Sequence, residues 1–364
     1  MSKILKITDK LRELITAKKF ADGKLPPERE LALQFGCCRK TIRTALANLE
    51  ADGWIDRCRK KGTTVKKSLF SSKGLVGLIM PENGHFFADI HNSLKKSLIE
   101  RGYTVQSINT DIIIKNLLYV SARKQQILKN AVENLVNSNP DIVIANVYMC
   151  EKIPSFSKLC NQNMIFIDHN AYSCKFKIPS VLLDYEKAGY LGGRYLIEQK
   201  CKRPIYFPRF FSLKSHLLPD LYNLHKEKML TEGFRKAMIE GGITPDTAII
   251  NSWATSPKEH KKLLTALSTL SNYMPDGFMS MDANVAFFMN KLIENHGKIP
   301  ENMVFAGLYN TPWSIQDALQ PFPSVDFNIG GIVDAVLNMV ELPFEKRKNI
   351  YIEPELIIRG RNKL

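Results

Sequence analysis

Apolar residues recur at three- and four-residue spacing through the first fifty positions. Ile4, Ile7, Leu11, Leu14 and Ile15 form one stripe, which predicts an amphipathic helix over residues 3–19. Leu31, Ala32 and Phe35 make a second, shorter stripe that Gly36 interrupts. Ile42, Ala45, Leu46 and Leu49 make a third, ending at Asp52-Gly53, where glycine accepts the positive φ of a helix end. Two short strands follow, about 55–58 and 63–66, around a Lys-rich tip, and then the unpatterned run KKSLFSSK. The pattern predicts a small α+β domain over 1–67 and a linker over 68–73.

From Gly74 the texture changes. GLVGLIM, YTVQSIN, DIVIAN and MIFID read as buried strands, separated by a helix with Ile90, Leu94 and Leu98 and by another over 122–137. A second round begins at SVLLD and continues through PIYF, TAII, DGFMS and MVFAG, with helices at 186–199, 227–240, 257–270 and 284–295. Strand–helix alternation with short connections predicts parallel sheets covered by helices, and two rounds predict two α/β lobes. Open α/β sheets take ligands beyond the carboxyl ends of their strands, which here is the cleft between the lobes.

Charge sharpens the division. The chain of 364 residues carries a net charge of +15, and residues 1–73 hold 18 Lys+Arg against 8 Asp+Glu. Cationic charge concentrated in one fifth of the chain points to a polyanion as the partner of the first domain. Arg39, Lys40, Thr41 and Arg43 lie at the start and on the exposed side of the third helix, opposite its apolar stripe. Such a helix suits the DNA major groove, where Arg and Lys meet phosphates and guanine edges. No apolar run approaches the ~20 residues that span a bilayer, and residues 1–20 lack a signal-peptide core. Seven cysteines, without a C-x-x-C pair, read as reduced thiols of a cytoplasmic protein. Phosphate-loop, dinucleotide, zinc-protease and nucleophile-elbow signatures are missing from the sequence. The expectation is therefore a binding protein with no enzymatic centre, no metal and no cofactor.

The run KLPPERELALQFGCCRKTIRTALANLEADGWIDRCRKKGTTV resembles the winged helix-turn-helix of the GntR family of bacterial transcription regulators. The resemblance implies that Arg29, Arg39, Thr41 and Arg43 contact DNA and that Lys61 and Gly62 form the wing tip. Three positions depart from the family. Pro27 stands where a capping Ser is usual, and Cys38 replaces the Ser that caps the recognition helix, a loss of ~1 kcal/mol. The wing reads Lys-Lys-Gly-Thr-Thr in place of Gly-x-Gly-Thr-Phe.

From about residue 74 onward the chain is similar to the LacI/GalR-type effector domain, which has the periplasmic-binding-protein fold. GLVGLIMPENGHFFADIHNSLKKSLIERGYTV, IFIDHN, SVLLDYEKAGYLGGRYLIEQ, EGFRKAMIEGGI, GKIPENMVFAGLYNTPWS and ELIIRG occur in the family's order. The resemblance implies lobe crossings near 180, 311 and 342. Lobe 1 would then hold about 74–180 and 312–341, and lobe 2 about 181–311 and 342–364. It also implies effector contacts from Asn83, His85, Phe86, Phe87, Asp168, His169, Asp282 and Tyr309, with an aromatic face for a sugar ring. Three polar clamps of the family are replaced by Leu230, Met281 and Tyr309; Lys228, Asn310, Trp313 and Tyr309 are candidates to take over. The implied function is a repressor in the nucleoid-bearing cytoplasm, a homodimer on palindromic double-stranded DNA, tuned by a sugar-like effector. The alternative is a constitutive DNA-binding dimer whose α/β domain no longer binds an effector.

Overall fold

The computed structural model describes residues 3–16, 19–20, 23–58, 62–66, 73–110, 122–146, 158, 163–168, 178–208, 219–245, 257–269, 274–316 and 319–360. Lys61, His169 and the strand expected at TAII lie outside them, as does the linker apart from Lys73.

The first domain is three helices and a hairpin: α1 (Lys3–Thr16), α2 (Glu28–Gln34), α3 (Arg39–Ala51), β1 (Ile55–Cys58) and β2 (Gly62–Val65). The three apolar stripes converge with Trp54, Ile55 and Val65 into one core. The hairpin is antiparallel, with Ile55 opposite Val65 and Cys58 opposite Gly62. Gly62 has φ +84, which glycine adopts without steric cost. As the sequence anticipates, α3 lacks a side-chain N-cap bond from Cys38. The Cys38 Sγ lies instead 3.2 Å from the Thr41 hydroxyl.

Two parallel-rich sheets follow. The first contains β3 (Leu75–Met80), β4 (Thr104–Asn109), β5 (Ile142–Ala145), β6 (Met164–Ile167), β7 (Ser180–Leu183) and β12 (Ile350–Ile352), in the order β12-β7-β6-β5-β3-β4. The second contains β8 (Pro204–Tyr206), β9 (Gly277–Met279), β10 (Val304–Leu308), β11 (Ser324–Asp326) and an antiparallel edge strand, β13 (Glu355–Ile357), in the order β13-β11-β10-β9-β8. Helices α4 (Phe86–Glu100), α5 (Ala122–Asn137) and α10 (Ile329–Glu341) belong to lobe 1. Lobe 2 carries α6 (Tyr185–Glu198), α7 (Pro219–Glu240), α8 (Pro257–Thr269) and α9 (Asp282–His296).

The sheets correct the expected lobe boundaries. β7 still pairs with β6, so the first crossing follows Leu183 rather than 180. β11 pairs with β10, which keeps Ser324–Asp326 in lobe 2, and the chain returns at Phe327-Asn328. β12 pairs with β7 and β13 with β11, so the last crossing falls at 353–354 rather than 342. Strands of three residues carry too little alternation to be placed by pattern.

Candidate functional site

On the first domain, packing Ile42, Ala45, Leu46 and Leu49 inward turns the opposite side of α3 to solvent. Arg39, Lys40 and Arg43 are exposed there, with Thr41 half-buried beside them. Arg29, on α2, and Gly62, at the wing, are exposed as well. The structure adds two residues that the sequence reading did not single out. The Glu28 carboxylate, at the start of α2, accepts from Arg43 Nη2 at 3.0 Å and from Arg57 Nη2 at 2.8 Å. The Arg43 guanidinium bonded to it holds that carboxyl below its ordinary value, with Arg57 and Arg39 adding to the effect. Glu28 thus ties α2, α3 and β1 together on the cationic face. The alternation of β1, with Ile55 inward and Asp56 outward, leaves Arg57 half-buried.

The same domain rests on lobe 1. Asp52, at the end of α3, accepts from Arg12 of α1 and from Lys95 Nζ of α4, the latter at 2.6 Å. Gly53 follows with φ +75, and a Cβ there would stand 3.2 Å from Ile99.

The N-terminal end of that same α4 lies at the cleft between the lobes. His85 is its N-cap residue, Phe86 is buried and Phe87 half-buried, while Asn83 is exposed in the preceding turn. Asp168 directly follows β6 with φ +57 and is buried. Its Oδ2 accepts from the Tyr185 hydroxyl at 2.6 Å and from the ammonium of Lys226 on α7. Lys226 is itself buried and stands 5.3 Å from the Phe87 ring centre and 5.1 Å from that of Tyr185. Next to it, buried Glu227 accepts from the Tyr206 hydroxyl at 2.5 Å. Burial, together with the Glu227 charge, pushes the Tyr206 phenol well above its ordinary value. Tyr309, at φ +86, places its ring 5.2 Å from both Phe86 and Phe327. His85 meets Trp313 edge to face at 6.3 Å.

The structure therefore gathers His85, Phe86, Phe87, Asp168 and Tyr309 around one cleft. Of the candidate replacements for the lost clamps, Lys228 is exposed. Asn310 donates to Asp326 at 2.8 Å and accepts from Arg359 at 2.5 Å. Leu230 is buried in the apolar core.

Asp282 is committed within lobe 2. Its Oδ2 accepts from the Thr311 N–H at 2.6 Å and hydroxyl at 2.9 Å, and its Oδ1 from the Ser324 hydroxyl at 2.6 Å. Burial pushes this carboxyl up to about 6, although the Ser324 and Thr311 bonds pull the other way. A raised carboxyl disfavours the ionised native state. Its contribution to stability is complete below about pH 4 and is lost as pH rises through about 6. The difference amounts to about 3 kcal/mol. Asp282→Asn keeps an oxygen for Thr311 and presents its amide to Ser324, so urea midpoints of the variant should change less between pH 4.5 and 7.5. An unchanged pH profile would show that another group controls this range.

These two faces are what a DNA-binding regulator with a ligand cleft requires, and comparison with known proteins agrees. Residues 3–65 match the family model for bacterial regulatory proteins of the gntR family. Residues 73–341 match the model for periplasmic binding proteins and the sugar binding domain of the LacI family. The chain belongs to the LacI-type periplasmic-binding-protein family, with a GntR-type head.

Among relatives of this regulator, an arabinose metabolism transcriptional repressor of Geobacillus stearothermophilus is 23% identical, over 96% of this chain and 94% of its own. Solved structures of the same fold include the regulator CcpA of Lactococcus lactis, at 18% identity. It covers 78% of this chain and 97% of its own, with a TM-score of 0.57. The regulator CelR in complex with cellobiose is 15% identical and covers 92% of this chain and 99% of its own, with a TM-score of 0.56. Among the described residues no cluster of His, Cys, Asp or Glu is arranged to hold a metal. No described helix is long and apolar enough to cross a membrane.

Proposed function

We propose that the protein is a cytoplasmic transcriptional repressor that binds a palindromic operator as a homodimer and releases it in response to a small carbohydrate. Two winged helices related by a two-fold axis match the symmetry of such DNA. One observation supports the effector part above others: α4 touches both functional regions. Its first turn brings Phe86 and Phe87 to the cleft, and Lys95 and Ile99, farther along, meet Asp52 and Gly53 of the head. A helix is a stiff element, so a ligand that resets the angle between the lobes moves the surface on which the head rests. The response is limited by the ligand's differential affinity for the two lobe arrangements.

The arabinose metabolism repressors, similar over nearly the whole chain, make pentoses the first compounds to test. The full-length protein should show a higher unfolding temperature with its effector, by ~2.7 kcal/mol of added stability at ~100 Kd. The same compound should weaken operator binding. A second reading is favoured by Leu230 and by the internal commitment of Asp282: a constitutive DNA-binding dimer whose α/β domain only dimerises. Unchanged unfolding temperatures across a broad panel of sugars, sugar acids and sugar phosphates would select it.

A further inference from the structure

The head sits on lobe 1 by the end of α3 that faces away from DNA. α3 runs from Arg39 to Ala51, a length of ~20 Å, so its cationic tip and the joint at Asp52 lie at opposite ends. Both carboxylate oxygens of Asp52 are engaged there. Oδ2 accepts from Arg12 of the head's own α1, and Oδ1 from Lys95 Nζ of α4 at 2.6 Å. The Lys95 and Asp52 side chains are 21% and 23% exposed, so water competes less for this pair than for a fully solvated one. Ile99, four residues beyond Lys95 on the same face of α4, packs against Gly53. Past the C-terminal end of α4, the last linker residue is fastened as well. The Lys73 N–H donates to the Gly102 carbonyl at 3.1 Å, and its ammonium stands 5.8 Å from the Tyr103 ring centre and 3.8 Å from Glu341.

We propose, taking the two-headed operator complex above as given, that this joint holds each head in a fixed orientation as it meets DNA. The effector domain, and not the linker, then sets the half-site spacing that the repressor accepts. The docked head keeps its DNA face open, because Arg39, Lys40 and Arg43 are exposed with lobe 1 in place. A single ion pair would let the head swivel; the second contact, Ile99 on Gly53, fixes direction as well as position. Arg12 also donates to Asp9 at 2.8 Å, so the tie at Asp52 reaches α1 and α3 together and carries the three-helix core with it.

Flexibly tethered heads tolerate a changed spacing, since effective concentration varies slowly with span. Docked heads do not: each inserted base pair rotates one half-site by ~35° and moves it by ~3.4 Å.

The test uses the full-length protein, the operator it selects from random DNA, and the same operator with five base pairs inserted between the half-sites. The wild-type protein should lose ~100-fold in affinity on insertion. Lys95→Glu sets a carboxylate against Asp52 without altering the head, and its loss should be under ~5-fold. Adding Asp52→Lys places the new carboxylate between Arg12 and a new ammonium, and should restore the full penalty. Hydrogen exchange without DNA reads the docking itself: the end of α3 and the Lys95–Ile99 segment should exchange ~10-fold faster in Lys95→Glu, with α2 unchanged as evidence that the head is folded. Equal exchange in the two proteins would overturn the docking. Faster exchange with an unchanged insertion penalty, or a wild-type protein that accepts the insertion, would overturn the control of spacing and leave the repressor reading standing. A single half-site bound as tightly as the pair would overturn the two-headed complex, and this inference with it.

Discussion

Arg43→Ala should cost the dimer about 2–6 kcal/mol of operator affinity, because each base-contacting Arg is worth ~1–3 kcal/mol and two heads are affected. That is a fall of roughly thirtyfold to more than ten-thousandfold in an electrophoretic or fluorescence titration. Arg39→Ala should show a loss of similar direction. The fold should survive either change. Arg43 is exposed, and Arg57 remains to hold Glu28 when it is removed. Glu28 holds the Arg43 guanidinium through Nε and Nη2, so a contact from Arg43 to DNA would lose little side-chain freedom. Affinity should fall steeply with salt, since the cationic face neutralises several phosphates. Full operator affinity in both variants would refute the assignment of α3 as the recognition helix.

That face was legible in the sequence because its signals are local. Three helical stripes, glycine stops and a short hairpin follow one another within the first domain; α2 and α3 end within two residues of Gly36 and Gly53, and β1 spans the expected 55–58. Glu28 and Arg57 escaped notice because they act across 29 positions, a contact that no periodicity marks.

The cleft was legible in outline only. The aromatic turn at Phe86-Phe87 and the strand end at Asp168 lie at carboxyl ends of strands, where topology directs ligands. The partner of Asp168 comes from α7, 58 positions away, and α7 has no clear amphipathic stripe to reveal which side faces inward. Helical geometry alone favours position 226 over 228 once 230 is known to face inward, and that fact came from the packing. The lobe crossings failed for a different reason: β11, β12 and β13 have three residues each, and only their pairing partners reveal which sheet they complete.

The largest effect on stability should come from Gly233→Ala. Helices α6 and α7 cross backbone to backbone at two glycines. A Cβ on Gly233 would stand 1.8 Å from the Glu186 carbonyl oxygen and 2.7 Å from the Tyr190 nitrogen. A Cβ on Gly189 would stand 2.0 Å from the Leu230 carbonyl oxygen. No side-chain rotation relieves a clash with backbone, so the helices must separate and uncover Phe234 and Ala237, both fully buried. Overpacking typically costs ~1–3 kcal/mol where side chains can yield; here they cannot, and a loss of at least ~3 kcal/mol is expected in urea unfolding. Gly330→Ala is the matched control. It lies in α10, its nearest neighbour to a new Cβ is 3.7 Å away, and alanine favours the helix by up to ~1 kcal/mol. Equal stability in the two variants would mean that the crossing is looser than the backbone distances require. Because α7 also carries Lys226 and Glu227, a displaced α7 should weaken any effector that the cleft binds, even at temperatures where Gly233→Ala remains folded.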